Sequence, residues 1–190
     1  IETLAWAAAH ARTIVDTVAA SRTPPAEVAV RYGLEAFPEP VEILTRDPRT
    51  LDGAPVTLAL PHLARFVGRT VVPRPGAYLV PPAVARHLHL HGLALTPPGD
   101  HVDAEIATIE VAAEQAGRKI LEAGSTGEVT VSWRTERRPV PDGWLRVPTD
   151  QPLGAVAVYL CEPESDDGAA ENGLIAAPTT GAEHPIWRVG

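Results

Sequence analysis

The sequence predicts an α+β chain: an N-terminal helix, then a mostly β body enclosing one small strand–helix–strand unit. Three observations carry this reading. Residues 3–20 are rich in alanine, contain no Gly or Pro, and repeat apolar residues at helical spacing. From residue 34 onward proline is frequent and apolar runs are short, the texture of strands and turns. Pro81 and Pro82 follow a short apolar run and precede Gly92, which frames a single helix among strands.

Each element has a local reason. In the first helix Trp6, His10, Ile14 and Val18 recur every fourth residue beside Leu4, Ala11 and Val15, which gives an apolar stripe. Pro24 and Pro25 end it. Residues 26–32 are expected to form a second short helix, closed by Gly33. Strands are expected at 41–44, 56–60 and 77–80. Asp47-Pro48 and Asp52-Gly53 are turn signals between the first two. A helix from Pro82 runs through Val84, Leu88 and His91, and strand resumes at 93–95. Further strands are expected at 102–113, at 128–136 and, after the Pro-Asp-Gly turn, at 144–147. In the second of these Val129, Val131 and Trp133 share a face. The apolar run 153–160 fits a strand or a helix. Residues 164–182 read as loop and 184–189 as a closing strand.

Composition excludes several classes. The chain has 190 residues, enough for a real core, and a formal net charge of −8. Nucleic acid requires a positive footprint, so no nucleic-acid partner is expected. No run of about 18 apolar residues exists, so no membrane span is expected. Cys161 is the single cysteine, which rules out an internal disulfide, and its apolar neighbours predict a buried, inert thiol. The sequence starts at Ile1 and has no Met, which is read as the start of a piece of a longer product.

Residues able to carry chemistry are few. His87, His89 and His91 alternate; on a strand they would converge, whereas on the expected helix His87 and His91 share a face and His89 points elsewhere. That arrangement reads first as a half-exposed helix end, and as a metal site only with a further ligand from elsewhere. Glu162, Glu164, Asp166, Asp167 and Gly168 have the composition of a calcium loop without its spacing, so a solvated turn is expected. No nucleophile elbow, His-Glu-x-x-His motif or phosphate loop is present.

Two segments carry a family resemblance. Glu2, followed by Trp6 and Arg12 on a helix, resembles a stretch of bacterial zinc metallocarboxypeptidases of the carboxypeptidase A-like family. VPTDQPLG at 147–154 and YLCEPESDDG at 159–168 are similar to the end of large members that carry an extra C-terminal domain. The stretches at 75–81, 91–92 and 184–189 match that domain as well. The chain departs from the pattern at Cys161, where leucine is usual, and at 169–177, where a Trp-Asn pair and aromatics are usual.

The resemblance implies that residues 1–33 are a C-terminal remnant of an α/β catalytic domain and 34–190 a β-rich accessory domain. It implies zinc and a peptide substrate for the parent protein, with Glu2 as the general base that takes a proton from zinc-bound water. The zinc ligands would lie upstream of Glu2, so no metal or other cofactor is expected in this chain, and the chain alone is expected to be inactive. An extracytoplasmic or secreted location is implied too. Self-association is expected through the apolar stripe of the first helix. The alternative is a non-catalytic β-rich module that binds carbohydrate or cell wall. Such a module commonly displays a flat row of aromatic rings; Trp6, Trp133, Trp144 and Trp187 are scattered in sequence, and Trp133, on the apolar face with Val129 and Val131, reads as core.

Overall fold

The computed structural model describes residues 2–46, 53–111 and 129–190. Its helices and mostly antiparallel sheets give the expected α+β class, with N-terminal helices and a β-rich body. The turn signals Asp47-Pro48 and Asp52 lie outside the described residues. Two helices, α1 (Glu2–Ala9) and α2 (Ala11–Ala20), stand where one was expected. The break is at His10, whose backbone leaves the helical region at φ −108°, ψ 13°. Its Nδ1 donates to the Trp6 carbonyl at 2.8 Å, and its ring stacks on Trp6 at 4.4 Å. Neither helix buries a residue; Leu4 is 76% and Trp6 59% exposed.

The expected second helix at 26–32 is instead a strand. β1 (Glu27–Ala36) pairs antiparallel with β4 (Leu63–Pro73), a strand the sequence reading did not single out. Val28 and Val30 alternate onto one face, and both are buried, so burial at period two overrides local helix propensity. β1 runs through residue 33, so 27–33 pair within the β-rich part. Nested inside this pair, β2 (Val41–Thr45) pairs with β3 (Val56–Leu60), as expected for strands. Pro38, Pro40 and Pro61 fall in the gap between the two pairs, where a missing N–H is tolerated. The Phe37 N–H bridges that gap to the His62 carbonyl at 2.9 Å.

The body is a five-stranded antiparallel sheet. It contains β5 (Ala77–Val80), β6 (His101–Val111), β7 (Val129–Pro139), β8 (Leu145–Pro148) and β9 (Trp187–Val189), in the order β7-β6-β9-β5-β8. The closing strand therefore inserts between β6 and β5. All four residues of β5 are buried, because both faces of the sheet are covered. On one face Tyr78 and Val80 meet α3 (Pro82–Leu90) and α4 (Gly154–Cys161), with Val84, Leu88, Val158 and Ile186. Val28, Val30 and Val72 join the same core, which seats the base of the β1–β4 ribbon. On the other face Ala77, Leu79, Ala104 and Ile106 lie under Val102, Val140 and Trp144. Each Leu, Ile or Val buried this way contributes about 1.5–3 kcal/mol.

Helix ends follow the sequence signals. Pro82 starts α3, where its missing N–H costs nothing. Gly92 adopts φ +86°, its N–H bonds the His89 carbonyl, and the Leu93 N–H reaches back to Leu88, a Schellman stop. Residues 93–95, expected as strand, lie alongside β8 with only an isolated bridge at Thr96 to Arg146. The ambiguous run 153–160 resolves as helix α4, which buries Ala157, Val158, Leu160 and Cys161.

Candidate functional site

The segment at 147–154 works as a joint. The Thr149 hydroxyl donates to the Pro75 carbonyl and accepts from Arg74 Nη1 at 2.9 Å. Gln151 clamps the chain across from it: its Oε1 accepts from Ala94 N at 2.8 Å, and its Nε2 donates to Ala94 O at 3.1 Å. The side-chain amide thus does for Ala94 what a neighbouring strand would do. Gly154 packs so tightly that a Cβ there would stand 1.8 Å from the Thr149 carbonyl oxygen. These contacts position α4 against β5 and β1.

Of the acidic stretch expected as a solvated turn, Asp166 and Asp167 are exposed turn residues, whereas Glu162 is not. Glu162 is buried, and its carboxylate accepts from the Tyr78 hydroxyl and from Arg188 through both Nε, at 2.8 Å, and Nη2. The fork-shaped guanidinium matches the two carboxylate oxygens, which compensates the cost of burying both charges. Arg188 also lies 3.7 Å from the centre of the Trp133 ring, a cation–π contact. Burial, then the Glu162 charge, pushes the Tyr78 phenol well above its usual range. Burial works against the Arg188 charge, but Glu162 outweighs it and the guanidinium is held charged. Further along, Asp166 Oδ2 accepts from Tyr32 N at 2.6 Å, and Asp166 N donates to Val30 O. One acidic segment thereby ties β1, β5 and β9 to α4.

Cys161 and His184 lie beside this cluster. Burial raises the Cys161 thiol well above its usual range, so it stays protonated and unreactive. His184 is buried and donates from Nε2 to the Cys161 carbonyl at 3.1 Å. Burial brings its imidazole down to about 4, against a smaller opposing pull from that hydrogen bond, and it is neutral at physiological pH. The cavity next to Glu162 measures about 10 Å³, too small to admit substrate. These groups hold α4 and the closing strand to the body of the fold.

The expected site residues lie elsewhere. Glu2 begins α1 and is exposed. Among the described residues no group of three or more His, Cys, Asp or Glu could hold a metal ion, so the described residues do not make up a catalytic zinc centre. His87 and His91 do share a face of α3, with Nε2 atoms 3.1 Å apart, and His89 lies on the opposite flank. The tryptophans do not form a flat row: Trp144 and Trp187 are tilted by 44°, and Trp187 is buried. A groove of about 750 Å³ runs along α3, lined by Ala85, Arg86, His89, Leu93, Leu95 and Leu145. Sequence reasoning missed this groove, and its signal was present: apolar 93–95 left outside a sheet, beside a helix with an exposed arginine.

Compared with protein-family models, curated proteins and solved structures, the chain has no match.

Proposed function

We propose that this chain is the C-terminal part of a zinc-dependent carboxypeptidase that releases C-terminal residues from peptides. In this reading Glu2 is the carboxylate that takes a proton from the attacking water and passes it to the leaving amine. The zinc and its ligands belong to sequence ahead of this chain, and the chain by itself is inactive. The observation that carries the reading is the uncovered stripe directly after Glu2. Leu4, Trp6, Val15 and Val18 are each more than half exposed along two consecutive helices. A stripe of that kind fits a helix that packs on a sheet belonging to another domain. The β-rich part, joined through Pro24 and Pro25, is then an accessory domain.

The experiment is to express the product that includes the sequence encoded ahead of Ile1 and to follow zinc-dependent release of C-terminal residues. Glu2→Gln is expected to lower kcat by about 10²–10⁴-fold with little change in KM. Full activity in Glu2→Gln, or zinc-dependent peptidase activity from the present chain alone, overturns the reading.

A non-catalytic binding module is the second reading, and the groove along α3 favours it. Its volume suits a small ligand, with Arg86 available to orient a polar group. Saturable binding of a cell-wall glycan fragment, weakened by Arg86→Ala, would support this reading over the first.

A further inference from the structure

We infer that His87 and His91 form a surface site for a divalent transition-metal ion of the class imidazole prefers, Cu²⁺, Ni²⁺ or Zn²⁺. Three observations carry this. The first is geometric. Metal–imidazole bonds are about 2.0–2.1 Å long, so two of them at angles between square and tetrahedral place their nitrogens roughly 2.9–3.4 Å apart. The two Nε2 atoms here are 3.1 Å apart. Their rings meet edge-on, with centroids 4.8 Å apart and planes at 61°, and the two Nε2 atoms share a hydrogen bond that a bound ion would replace, releasing its proton.

The second is the backbone. The pair sits one turn apart on α3, whose end is fixed by the Gly92 stop, so the spacing is built into a rigid element. The third is electrostatic. His87 lies in the last turn and His91 is the C-cap of α3, where the partial negative charge of the helix end favours a cation. The chain as a whole carries a formal charge of −8, which attracts cations further. His91 is exposed and His87 half-buried, so an ion reaches the pair from solvent and completes its shell with water. This site is independent of the zinc proposed for the parent enzyme.

The test is calorimetric titration of the full chain with CuCl₂, NiCl₂ and ZnCl₂ near neutral pH, beside His87→Gln, His91→Gln and His89→Gln. One equivalent is expected to bind. Either substitution in the pair should raise Kd by about tenfold or more, and His89→Gln should leave it unchanged. Nitrogen hyperfine structure in the Cu²⁺ electron paramagnetic resonance spectrum should report two imidazoles, and one in each pair variant. Far-ultraviolet circular dichroism of each variant should match the parent, so that lost binding is not lost folding. Failure of the parent chain to bind one equivalent overturns the inference. Binding that survives both pair substitutions, or falls equally in His89→Gln, overturns it too.

Discussion

The body and the N-terminal part of this chain are built to opposite rules. Around β5, both faces of the sheet are covered, and no buried side-chain nitrogen or oxygen among the described residues lacks a hydrogen-bond partner. In α1, α2 and the outer ribbon, apolar side chains stay in water. Val41, Ile43, Val56, Leu58 and Leu60 sit on one face of β2–β3, by the register Val41↔Leu60, Ile43↔Leu58 and Thr45↔Val56. Each of the five is at least 37% exposed. The body can hold itself together; the helices and the outer ribbon carry surfaces whose burial the described residues do not supply. Helices of this length are marginal on their own in water.

The contrast can be broken from the body outward. The largest effect is expected at the Glu162–Arg188 pair. Glu162→Gln or Arg188→Met leaves a buried charge without its partner and should cost about 3–5 kcal/mol in urea unfolding. The double variant should recover part of that loss, which a double-mutant cycle measures.

Next comes pH. His184 ionises at about 4 in the fold against 6.5 ordinarily. The unfolded chain therefore takes up this proton first. The contribution of His184 is whole above about 6.5, declines as pH falls, and is spent below about 4, in total about 3 kcal/mol. His184→Gln should flatten the stability–pH curve across that window. A third effect, about 2–3 kcal/mol, is expected for Gly154→Ala, because the new Cβ meets backbone rather than a side chain that can yield. The smallest is expected at the surface: Trp6→Gln with Val18→Gln should change stability by under about 0.5 kcal/mol. The same change should lower self-association at high concentration, read by sedimentation velocity.

Local signals in the sequence were strong enough for β2, β3, β5 and α3, because turn residues and short apolar runs mark their ends. They failed where partners are distant. Residues 26–32 carry helix-compatible alanine and glutamate, and only pairing with β4 makes them strand. Residues 63–73 are interrupted by Gly68 and three arginine or threonine positions, so the strand shows little alternation without its partner. Glu162 read as one acid in a solvated turn. Its partners Tyr78 and Arg188 lie 84 and 26 residues away, on strands that become neighbours only after β9 inserts. The physical content of the segment at 147–168 is architectural: a clamp, a close-packed glycine and a buried ion pair. The helix-face pairing of His87 and His91 was legible, whereas the 3.1 Å approach of their nitrogens was not.

In the proposed reading α1 and α2 are a docking surface rather than part of this chain's core. Hydrogen exchange measured by mass spectrometry tests that directly, on this chain and on the product that includes sequence encoded ahead of it. In this chain, amides of residues 2–20 should exchange orders of magnitude faster than those of β5 and α4. In the longer product they should become protected. Protection of 2–20 in the present chain equal to that of β5 would contradict the account.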